Sequence, residues 1–342
     1  MKRRSNRMKK QKRVAKIVLC VLLAIVLVFG GTFGALYFMG KKQLETDEPE
    51  IIVPDDINAD LLDNGNTIVY NGHKYRFNNS VTSALVLGID KDDLDNTYKS
   101  GYNGQADAIF LCALDTQTNT VSVITLNRDT LADIQMYSDS GEYVGTKNMQ
   151  LCLGYAYGDG KHTSCEHMVT NVSRLLCNVP ISLYASIDQE AVEIINDMVG
   201  GVEVPEYSSD GKTKTGNSIT LHGHDAFTYV EARDIQYFDS NLGRVSRQKD
   251  YVTAFANKAI QETKKNISLP VSIYNTVTDY MVTNVKLSQV SYIATNYIDM
   301  PLTFKTYSID GSLTEFEGHA ALKPDMENLF NTVLEVFYIK VN

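Results

Sequence analysis

The sequence lacks most of the short motifs that assign a function directly. It contains no G-x-S-x-G pattern, which excludes the nucleophile elbow of the serine hydrolases. No G-x-G-x-x-G follows a predicted strand, so the dinucleotide-binding fingerprint is missing as well. There are no internal repeats, and no low-complexity tract apart from a basic run at the N-terminus. The function must therefore be inferred from dispersed residues.

Positive charge is scarce outside residues 1–16. This segment carries nine of the 32 Lys and Arg residues and no acid, and the other 23 stand against 41 Asp and Glu. An acidic surface repels the phosphate backbone, so nucleic acid is excluded as a main partner. A basic cytoplasmic tail of this kind suits the anionic lipids of the inner membrane face.

Residues 17–38 contain no charged side chain. As a helix this segment would be about 33 Å long, which is enough to cross the hydrocarbon core of a bilayer. Nine cations precede it and only Lys41 and Lys42 follow closely, so the N-terminus should stay in the cytoplasm. The alternative, a cleaved signal peptide, usually has a shorter apolar region and a small-residue cleavage site. The sequence predicts an uncleaved transmembrane signal-anchor, with the rest of the chain outside the cell membrane.

The rest of the chain predicts an extracytoplasmic stalk and one folded domain. Residues 39–80 are polar and acidic, and the pair Asn71-Gly72 between two β-prone segments predicts a small hairpin within them. No linker divides residues 81–342, so we expect a single domain there.

Strand and helix patterns alternate along that domain. Apolar runs at residues 83–90, 107–115 and 120–126 predict strands, and the short link at 116–119 predicts that the last two are antiparallel. Helical periodicity and a later strand-like run follow. The helices are predicted at residues 165–176, 189–199, 223–233, 244–263, 271–280, 288–296 and 325–336, with a strand at 302–307. This order indicates a layered α/β/α domain with a mixed central sheet.

Four cysteines, Cys112, Cys152, Cys165 and Cys177, would lie on the outer side of the membrane. Disulfides form in that compartment. Four cysteines allow three pairings, and the sequence does not choose among them. A buried free thiol is the alternative for Cys112, which falls in an apolar strand.

Acids and arginines gather at the predicted strand ends. Asp107 opens the second strand of the domain, and Arg128 and Asp129 close the third. Their placement at strand ends makes these three residues one candidate set.

Further cations surround a predicted helix start. Arg233 ends one helix, and Arg244, Arg247 and Gln248 begin the next. Their i, i+3 and i+4 spacing places the last three on one helix face. A helix N-terminus also favours a bound anion through its exposed N–H groups.

Arginines and carboxylates in this combination suit a pyrophosphate with a divalent cation. Guanidinium groups bind phosphate oxygens in bidentate fashion, and carboxylates hold magnesium that bridges to the phosphates. Surface ion pairing is the alternative, with Arg244 and Arg247 meeting Asp239 and Asp250. The residues by themselves leave both interpretations open.

Five ordered segments resemble the LytR-CpsA-Psr family of cell-envelope phosphotransferases. The resemblance covers residues 83–342. The segments read SALVLGID, GQADAIFLCALDTQTNTVSVITLNRDT, LCLGYAYGDG, YASIDQEAVEIINDMVGGVEV and LHGHDAFTYVEARDIQYFDSNLGRVSRQKDYV. The last resembles the family signature Tyr-Val-Arg-x-Arg followed by Gly-Arg-x-x-Arg-Gln.

The resemblance implies an enzyme that transfers a phosphoglycan from a polyprenyl-pyrophosphate lipid to a peptidoglycan sugar hydroxyl. Asp107 and Asp129 would hold Mg²⁺ and, with Arg128 and Arg244, form the catalytic set. Either carboxylate could accept the proton of the attacking hydroxyl, and Asp129 is preferred. The residues implied to bind the pyrophosphate are Arg128, Lys147, Arg233, Arg244, Arg247 and Gln248.

Several positions depart from the family pattern. Family arginines correspond here to Asp92, Gln105 and Glu231, a family proline to Asn127, and a family acid to Asn241. These losses leave two alternatives to the transferase: a non-catalytic protein that binds or scaffolds the lipid-linked glycan, and a lipid pyrophosphatase. The glycan, the acceptor and the oligomeric state are not determined by the sequence.

A polyprenyl tail would also need an apolar groove. Apolar residues of the predicted helices at 168–176 and 191–198 could line one, with ordinary core packing as the alternative.

Overall fold

A computed structural model describes residues 49–90, 99–102, 104–232, 240–297 and 302–341 of the chain. Within these residues the chain forms sixteen β-strands and seven α-helices. The strands are β1 (Ala59–Leu62), β2 (Thr67–Tyr70), β3 (His73–Phe77), β4 (Val81–Asp90), β5 (Gln105–Asp115), β6 (Thr120–Leu126), β7 (Leu131–Tyr137), β8 (Tyr143–Gln150), β9 (Leu183–Ile187), β10 (Val202–Tyr207), β11 (Lys214–Leu221), β12 (Met281–Thr283), β13 (Thr303–Ser308), β14 (Gly311–Phe316), β15 (His319–Pro324) and β16 (Tyr338–Val341). The helices are α1 (His162–Leu175), α2 (Gln189–Met198), α3 (His224–Glu231), α4 (Ser240–Lys265), α5 (Leu269–Val277), α6 (Leu287–Tyr297) and α7 (Met326–Phe337).

The predicted basic tail and signal-anchor, residues 1–38, lie outside the described residues. In the part of the chain that is described, no helix combines the length and the apolar character needed to cross a membrane. The anchor and the orientation that it implies stay predictions.

Six strands form the central sheet, in the order β12-β9-β4-β5-β6-β13. The predicted hairpin is confirmed, because β5 and β6 pair antiparallel on either side of the 116–119 link. Strand β4 is antiparallel to β5 and parallel to β9, and β13 is parallel to β6. The domain is therefore an α/β fold with a mixed central sheet, as the sequence predicts.

Alternate residues of the central strands face opposite sides of this sheet. On β4, Leu85 and Leu87 belong to the main hydrophobic core, together with residues of α1 and α7. Val86 and Gly88 face the other side, towards α2, α3 and α4. Helices thus cover both faces, which gives the predicted α/β/α layering.

The hairpin predicted at Asn71-Gly72 forms, but it belongs to the folded domain. Strand β3 pairs with the last strand of the chain, β16, in a four-stranded sheet. The Tyr70 ring packs edge-on against Phe330, with centroids 5.2 Å apart, and both side chains are buried. The fold therefore includes residues that the sequence assigned to the stalk, because their apolar face needs a partner that lies about 260 positions later.

The predicted helices all form, with shifted ends, whereas three hairpins were missed. These are β7–β8, β10–β11 and β14–β15. Strand β11 is almost entirely exposed, so it lacks the apolar alternation from which a strand is predicted. The described part of helix α4 starts at Ser240, four residues before Arg244.

The four described cysteines, Cys112, Cys152, Cys165 and Cys177, are all free. Burial raises the pKa of the Cys165 thiol to about 11. In the residues that the structure covers, the fold is therefore held by packing and hydrogen bonds without a disulfide.

Candidate active site

The charged residues predicted at strand ends meet at one edge of the central sheet. Ile109 of β5 lies opposite Leu126 of β6, so the start of β5 and the end of β6 share that edge. Asp107 stands near the start of β5, and Arg128 and Asp129 follow β6. The sequence prediction for these three residues is confirmed as a spatial cluster.

Asp107 joins two arginines that are far apart in sequence. One carboxylate oxygen accepts a hydrogen bond from Arg128 Nη1. The other accepts from Arg244 Nη1 at 3.0 Å. Arg244 is only 1% exposed, so its charge depends on close polar partners. Helix α4 thereby brings the predicted Arg244 to the strand-end cluster.

The Arg128 guanidinium lies between both carboxylates. It also donates to Gln105 Oε1 and to Cys152 Sγ at 3.3 Å, and its Nε lies 3.5 Å from Asp129 Oδ1. Burial by itself would lower the pKa of Arg128, but Cys152 and the two carboxylates raise it and prevail. Arg128 therefore stays charged at any pH that the folded protein meets.

Asp129 is held from three other parts of the chain. Its Oδ2 accepts from Asn241 Nδ2 at 2.7 Å, and its Oδ1 lies 3.5 Å from Gln150 Nε2. Its backbone carbonyl accepts from the Leu322 N–H at 2.8 Å, and Gln150 also donates to the Ala320 carbonyl at 2.6 Å. The β14–β15 hairpin therefore lies against the backbone of Asp129, the residue that sequence reasoning selected as the proton acceptor.

Three polar residues of this cluster were not predicted as site residues. Gln105 and Asn241 entered only as departures from the family pattern, and Cys152 only as a disulfide candidate. Gln105 precedes Asp107 by two positions on the same strand, so it shares a sheet face with it, which is a signal that the sequence did carry. Cys152 lies in a short 3₁₀ segment, and no local pattern marks its contact with Arg128.

The structure does not bring Arg247 to the cluster. Its guanidinium donates to three backbone carbonyls, those of Tyr229 at 2.9 Å, Gly211 and Ala232. Burial lowers its pKa. Gly211 has φ +66°, and a Cβ there would stand 2.9 Å from Arg247 Nη1. In this structure Arg247 joins α3, α4 and the β10–β11 loop, and its binding of phosphate stays a prediction.

The other predicted phosphate ligands have separate positions. Gln248 donates to the Val230 carbonyl at 3.2 Å and, like Arg244, lines a cavity. Lys147 is half-exposed on β8 and forms an ion pair with Glu317 at 2.7 Å, which is a contact outside the cluster. Arg233 lies outside the described residues.

That cavity, of about 350 Å³, lies between the sheet and helices α2, α3 and α4. Most of its wall is apolar. Side chains that line it include Val86, Phe110, Val123, Val230, Tyr251 and Phe255. Asp107, Arg244 and Gln248 form part of the same wall. The charged cluster is therefore continuous with a mostly apolar cavity.

The groove prediction is correct for one helix and wrong for the other. Val192 and Ile195 of α2 line the cavity. Met168 and Leu176, at α1, belong instead to the main core, because α1 packs on the opposite face of the sheet. The periodicity of apolar residues identified an apolar face on both helices, but it could not show which of the two faces lines a cavity.

The donor set of the cluster suits a hard divalent cation. Asp107 and Asp129 are both in contact with Arg128, and Mg²⁺ is commonly held by one or two carboxylates together with substrate phosphates. The described residues contain no group of three or more His, Cys, Asp and Glu placed to hold a metal. A cation here would therefore take further oxygen ligands from a substrate or from water.

The fold and the site define an α/β protein with a buried arginine–carboxylate cluster at an apolar cavity. The chain belongs to the LytR_cpsA_psr family, whose sequence profile matches residues 55–335. One relative, from Bacillus subtilis (strain 168), is 24% identical over 319 residues, covering 92% of each chain, and is named polyisoprenyl-teichoic acid–peptidoglycan teichoic acid transferase TagU. A TagU of Enterococcus faecalis (strain ATCC 700802 / V583) is 25% identical over 295 residues, 85% of each chain.

Solved structures share this fold. The structure described as TagT bound to LI-WTA superimposes with a TM-score of 0.57 at 19% identity, covering 75% of this chain and 89% of that one. Bacillus subtilis TagV gives a TM-score of 0.56 at 21% identity, covering 75% and 95%. At these identities the likeness establishes the fold alone.

Proposed function

We propose that this protein is a membrane-anchored phosphotransferase that moves a phosphoglycan from a polyprenyl-pyrophosphate lipid to a sugar hydroxyl of peptidoglycan. The observation that carries the proposal is the shared wall of cluster and cavity, formed by Asp107, Arg244 and Gln248. A substrate with an anionic head and an apolar tail needs both environments side by side. The TagU relatives, named as teichoic acid transferases acting with peptidoglycan, support the same substrate class.

The cavity would take part of the polyprenyl tail. Phe110 and Val123 of the sheet and Val192 and Ile195 of α2 offer it apolar contacts. Burial contributes about 0.8 kcal/mol for each CH₂ group removed from water. A few isoprene units in the cavity would therefore hold the lipid while its head reacts.

The arginines would receive the pyrophosphate. Arg128 and Arg244 both contact Asp107, so their planar donor groups already converge on one point. Phosphate oxygens accept bidentate hydrogen bonds from guanidinium groups. Asp107 and Asp129 are the residues that would hold Mg²⁺, which would neutralise charge on the phosphate oxygens.

The reaction then needs one proton acceptor and an exit for the leaving group. The acceptor oxygen forms a bond to the phosphorus that carries the glycan, and the bond from that phosphorus to the bridging oxygen breaks. Polyprenyl phosphate leaves with the bridging oxygen, and the hydroxyl proton passes to the Asp129 carboxylate. Arg128 and Arg244 stabilise the charge that gathers on the leaving phosphate.

The predicted anchor fits this substrate. A signal-anchor at residues 17–38 would hold the domain at the outer surface of the cytoplasmic membrane, where a polyprenyl lipid presents its head. The substrate and the enzyme would then meet in two dimensions, and the linking residues 39–48 would set the height of the cluster above the headgroups.

The test uses the full chain in detergent with a polyprenyl-pyrophosphate sugar, peptidoglycan and Mg²⁺. Wild type should release polyprenyl phosphate and join the glycan to peptidoglycan. Arg244→Ala should lower the rate about 10²–10³-fold, because a preorganised charged donor is lost. Arg174→Ala, at an exposed arginine of α1, is the matched control and should keep the wild-type rate.

Other outcomes separate the alternatives. Release of polyprenyl phosphate without attachment of the glycan would indicate a lipid pyrophosphatase. Lipid that co-purifies with the chain, while no turnover occurs, would indicate a binding or scaffolding protein. If wild type and Arg244→Ala behave alike and neither releases polyprenyl phosphate, the enzyme hypothesis is lost.

A further inference from the structure

Asn241 is the polar residue that links the two halves of the cluster. Its Nδ2 donates to Asp129 Oδ2 at 2.7 Å and to Asn127 Oδ1 at 2.8 Å. Its Oδ1 accepts from Arg244 Nε at 3.0 Å and from Arg244 Nη2 at 2.8 Å. Asn241 is 6% exposed, so protein atoms take up all of these contacts.

The chemistry of its partners fixes the orientation of this amide. Arginine has donors and no acceptor, so the atom facing Arg244 must be the amide oxygen. An ionised carboxylate has acceptors and no donor, so the atom facing Asp129 must be the amide nitrogen. The two contacts agree, and a flipped amide would break both.

A carboxylate could not make the same set of contacts. At position 241 it would still accept from Arg244, but its second oxygen would face Asp129 Oδ2 and Asn127 Oδ1 without a proton between them. Like charges at hydrogen-bond distance repel. A bound cation, or a proton shared by the two carboxyl groups, would have to relieve that repulsion.

The departures from the family pattern at Asn127 and Asn241 are therefore coupled. They lie 114 positions apart and share a hydrogen bond. Asn127 Oδ1 also accepts from the Asp129 backbone N–H at 2.9 Å. A proline at 127 would offer no acceptor to the Asn241 amide, and an acid at 241 would offer no donor to the Asn127 oxygen.

We propose that Asn241 is a positioning residue for the transfer reaction, because it couples the Asp129 carboxylate to the Arg244 guanidinium. Its N–H group supplies a contact to Asp129 that an acid at this position could make only through a bound cation or a shared proton. This inference rests on the proposed function for its catalytic readout only. Asn241 acts through its two partners, because it orients the carboxylate that accepts the proton and the guanidinium that binds the phosphate.

Cation binding is the direct test, with Mn²⁺ as the probe and the full chain in detergent. Asn241→Asp adds a third carboxylate beside Asp129 and should tighten Mn²⁺ binding at least tenfold, because ligand charge sets divalent affinity. Asn148→Asp is the matched control. Asn148 donates to Asp133 at 2.9 Å on the exposed β7–β8 hairpin, so the change also places two acids together, but away from the cluster, and Mn²⁺ affinity should change less than twofold.

Kinetics give the second readout. At low divalent-cation concentration Asn241→Asp should lower kcat about 10²-fold, the effect of misplacing a catalytic group by about an ångström, with KM within threefold. Saturating Mn²⁺ should restore much of the loss. Asn127→Ala removes the facing oxygen, so it should reduce kcat in the wild type but raise it in the Asn241→Asp background.

The design keeps the two proposals separate. Unchanged Mn²⁺ affinity in Asn241→Asp, or wild-type kcat at low divalent concentration, overturns the role given to Asn241. Absence of transfer in the wild type overturns the proposed function, while the Mn²⁺ titration still decides about Asn241. If Asn241→Asp does not fold, Asn241→Ala serves instead: it should lower kcat without raising Mn²⁺ affinity, and an unchanged kcat overturns the inference.

Discussion

Replacing Arg247 tests whether this residue binds phosphate, as the sequence suggests, or holds the fold together, as its contacts indicate. Its three guanidinium nitrogens donate to the carbonyls of Tyr229, Gly211 and Ala232, and the group lies 5.7 Å from the centre of the Tyr207 ring. Arg247→Met keeps an unbranched apolar stem and removes all three donors.

The expected loss of stability follows from these contacts. A hydrogen bond from a charged donor contributes about 1.5–3 kcal/mol. Losses at one side chain are not additive, and each buried carbonyl that is left without a donor costs about 1–3 kcal/mol. We therefore expect Arg247→Met to lower the free energy of unfolding by about 3–5 kcal/mol and the Tm by about 6–10 °C.

Thermal unfolding of the full chain, followed by circular dichroism and by the fluorescence of its 20 tyrosines, measures this change. Arg174→Met removes an exposed arginine from α1 and should shift the free energy of unfolding by less than about 0.5 kcal/mol. The reasoning is refuted if Arg247→Met unfolds like the wild type and instead raises KM for the lipid pyrophosphate, because that result would return Arg247 to the phosphate site.

Three further experiments, two substitutions and one labelling reaction, have definite expected outcomes. Gly158→Ala should prevent stable folding, since a Cβ there would stand 2.3 Å from the Ser164 backbone nitrogen; a wild-type circular dichroism spectrum and Tm would contradict this. Glu231 lines the cavity beside the cluster, and its negative charge repels an anionic lipid head. Glu231→Arg should therefore lower KM for the lipid about 3–10-fold, which corresponds to about 1 kcal/mol of binding free energy. An unchanged or higher KM in steady-state kinetics would contradict this. Burial raises the pKa of the Cys152 thiol to about 11, and the thiolate is the reactive form. Iodoacetamide at pH 8 should therefore label Cys152 only after unfolding. Rapid labelling of Cys152 in the folded chain, detected by mass spectrometry, would contradict this.

The features that sequence determined depend on neighbours along the chain. The periodic apolar positions of α1 and α2 are spaced within a few residues, and the predicted helices form. The meeting of Asp107 with Arg128 and Asp129 also depends on a local feature, the four-residue link that makes β5 and β6 an antiparallel hairpin. The family resemblance adds Arg244, whose motif is a short contiguous stretch.

Tertiary structure decided what each of these residues contacts. Asp107 and Arg244 are 137 positions apart, and Gln150 reaches the Ala320 carbonyl 170 positions away. No spacing rule predicts such contacts, because they depend on the register of the sheet and on where α4 and the β14–β15 hairpin dock. The same is true of Arg247: one helical turn from Arg244, it turns to backbone carbonyls, since the nearest acceptors on its side of α4 belong to α3 and the β10–β11 loop.

The site thus has two origins. The sequence by itself determined which charges lie at strand ends and which faces of the helices are apolar, because both follow from the spacing of residues a few positions apart. Only the packed fold decided that the cluster adjoins a cavity and that Asn127 and Asn241 share a hydrogen bond. Contacts between residues that are far apart in sequence form when separate helices and strands bury their apolar faces against each other. Which residues then meet depends on the packing geometry and not on their distance along the chain.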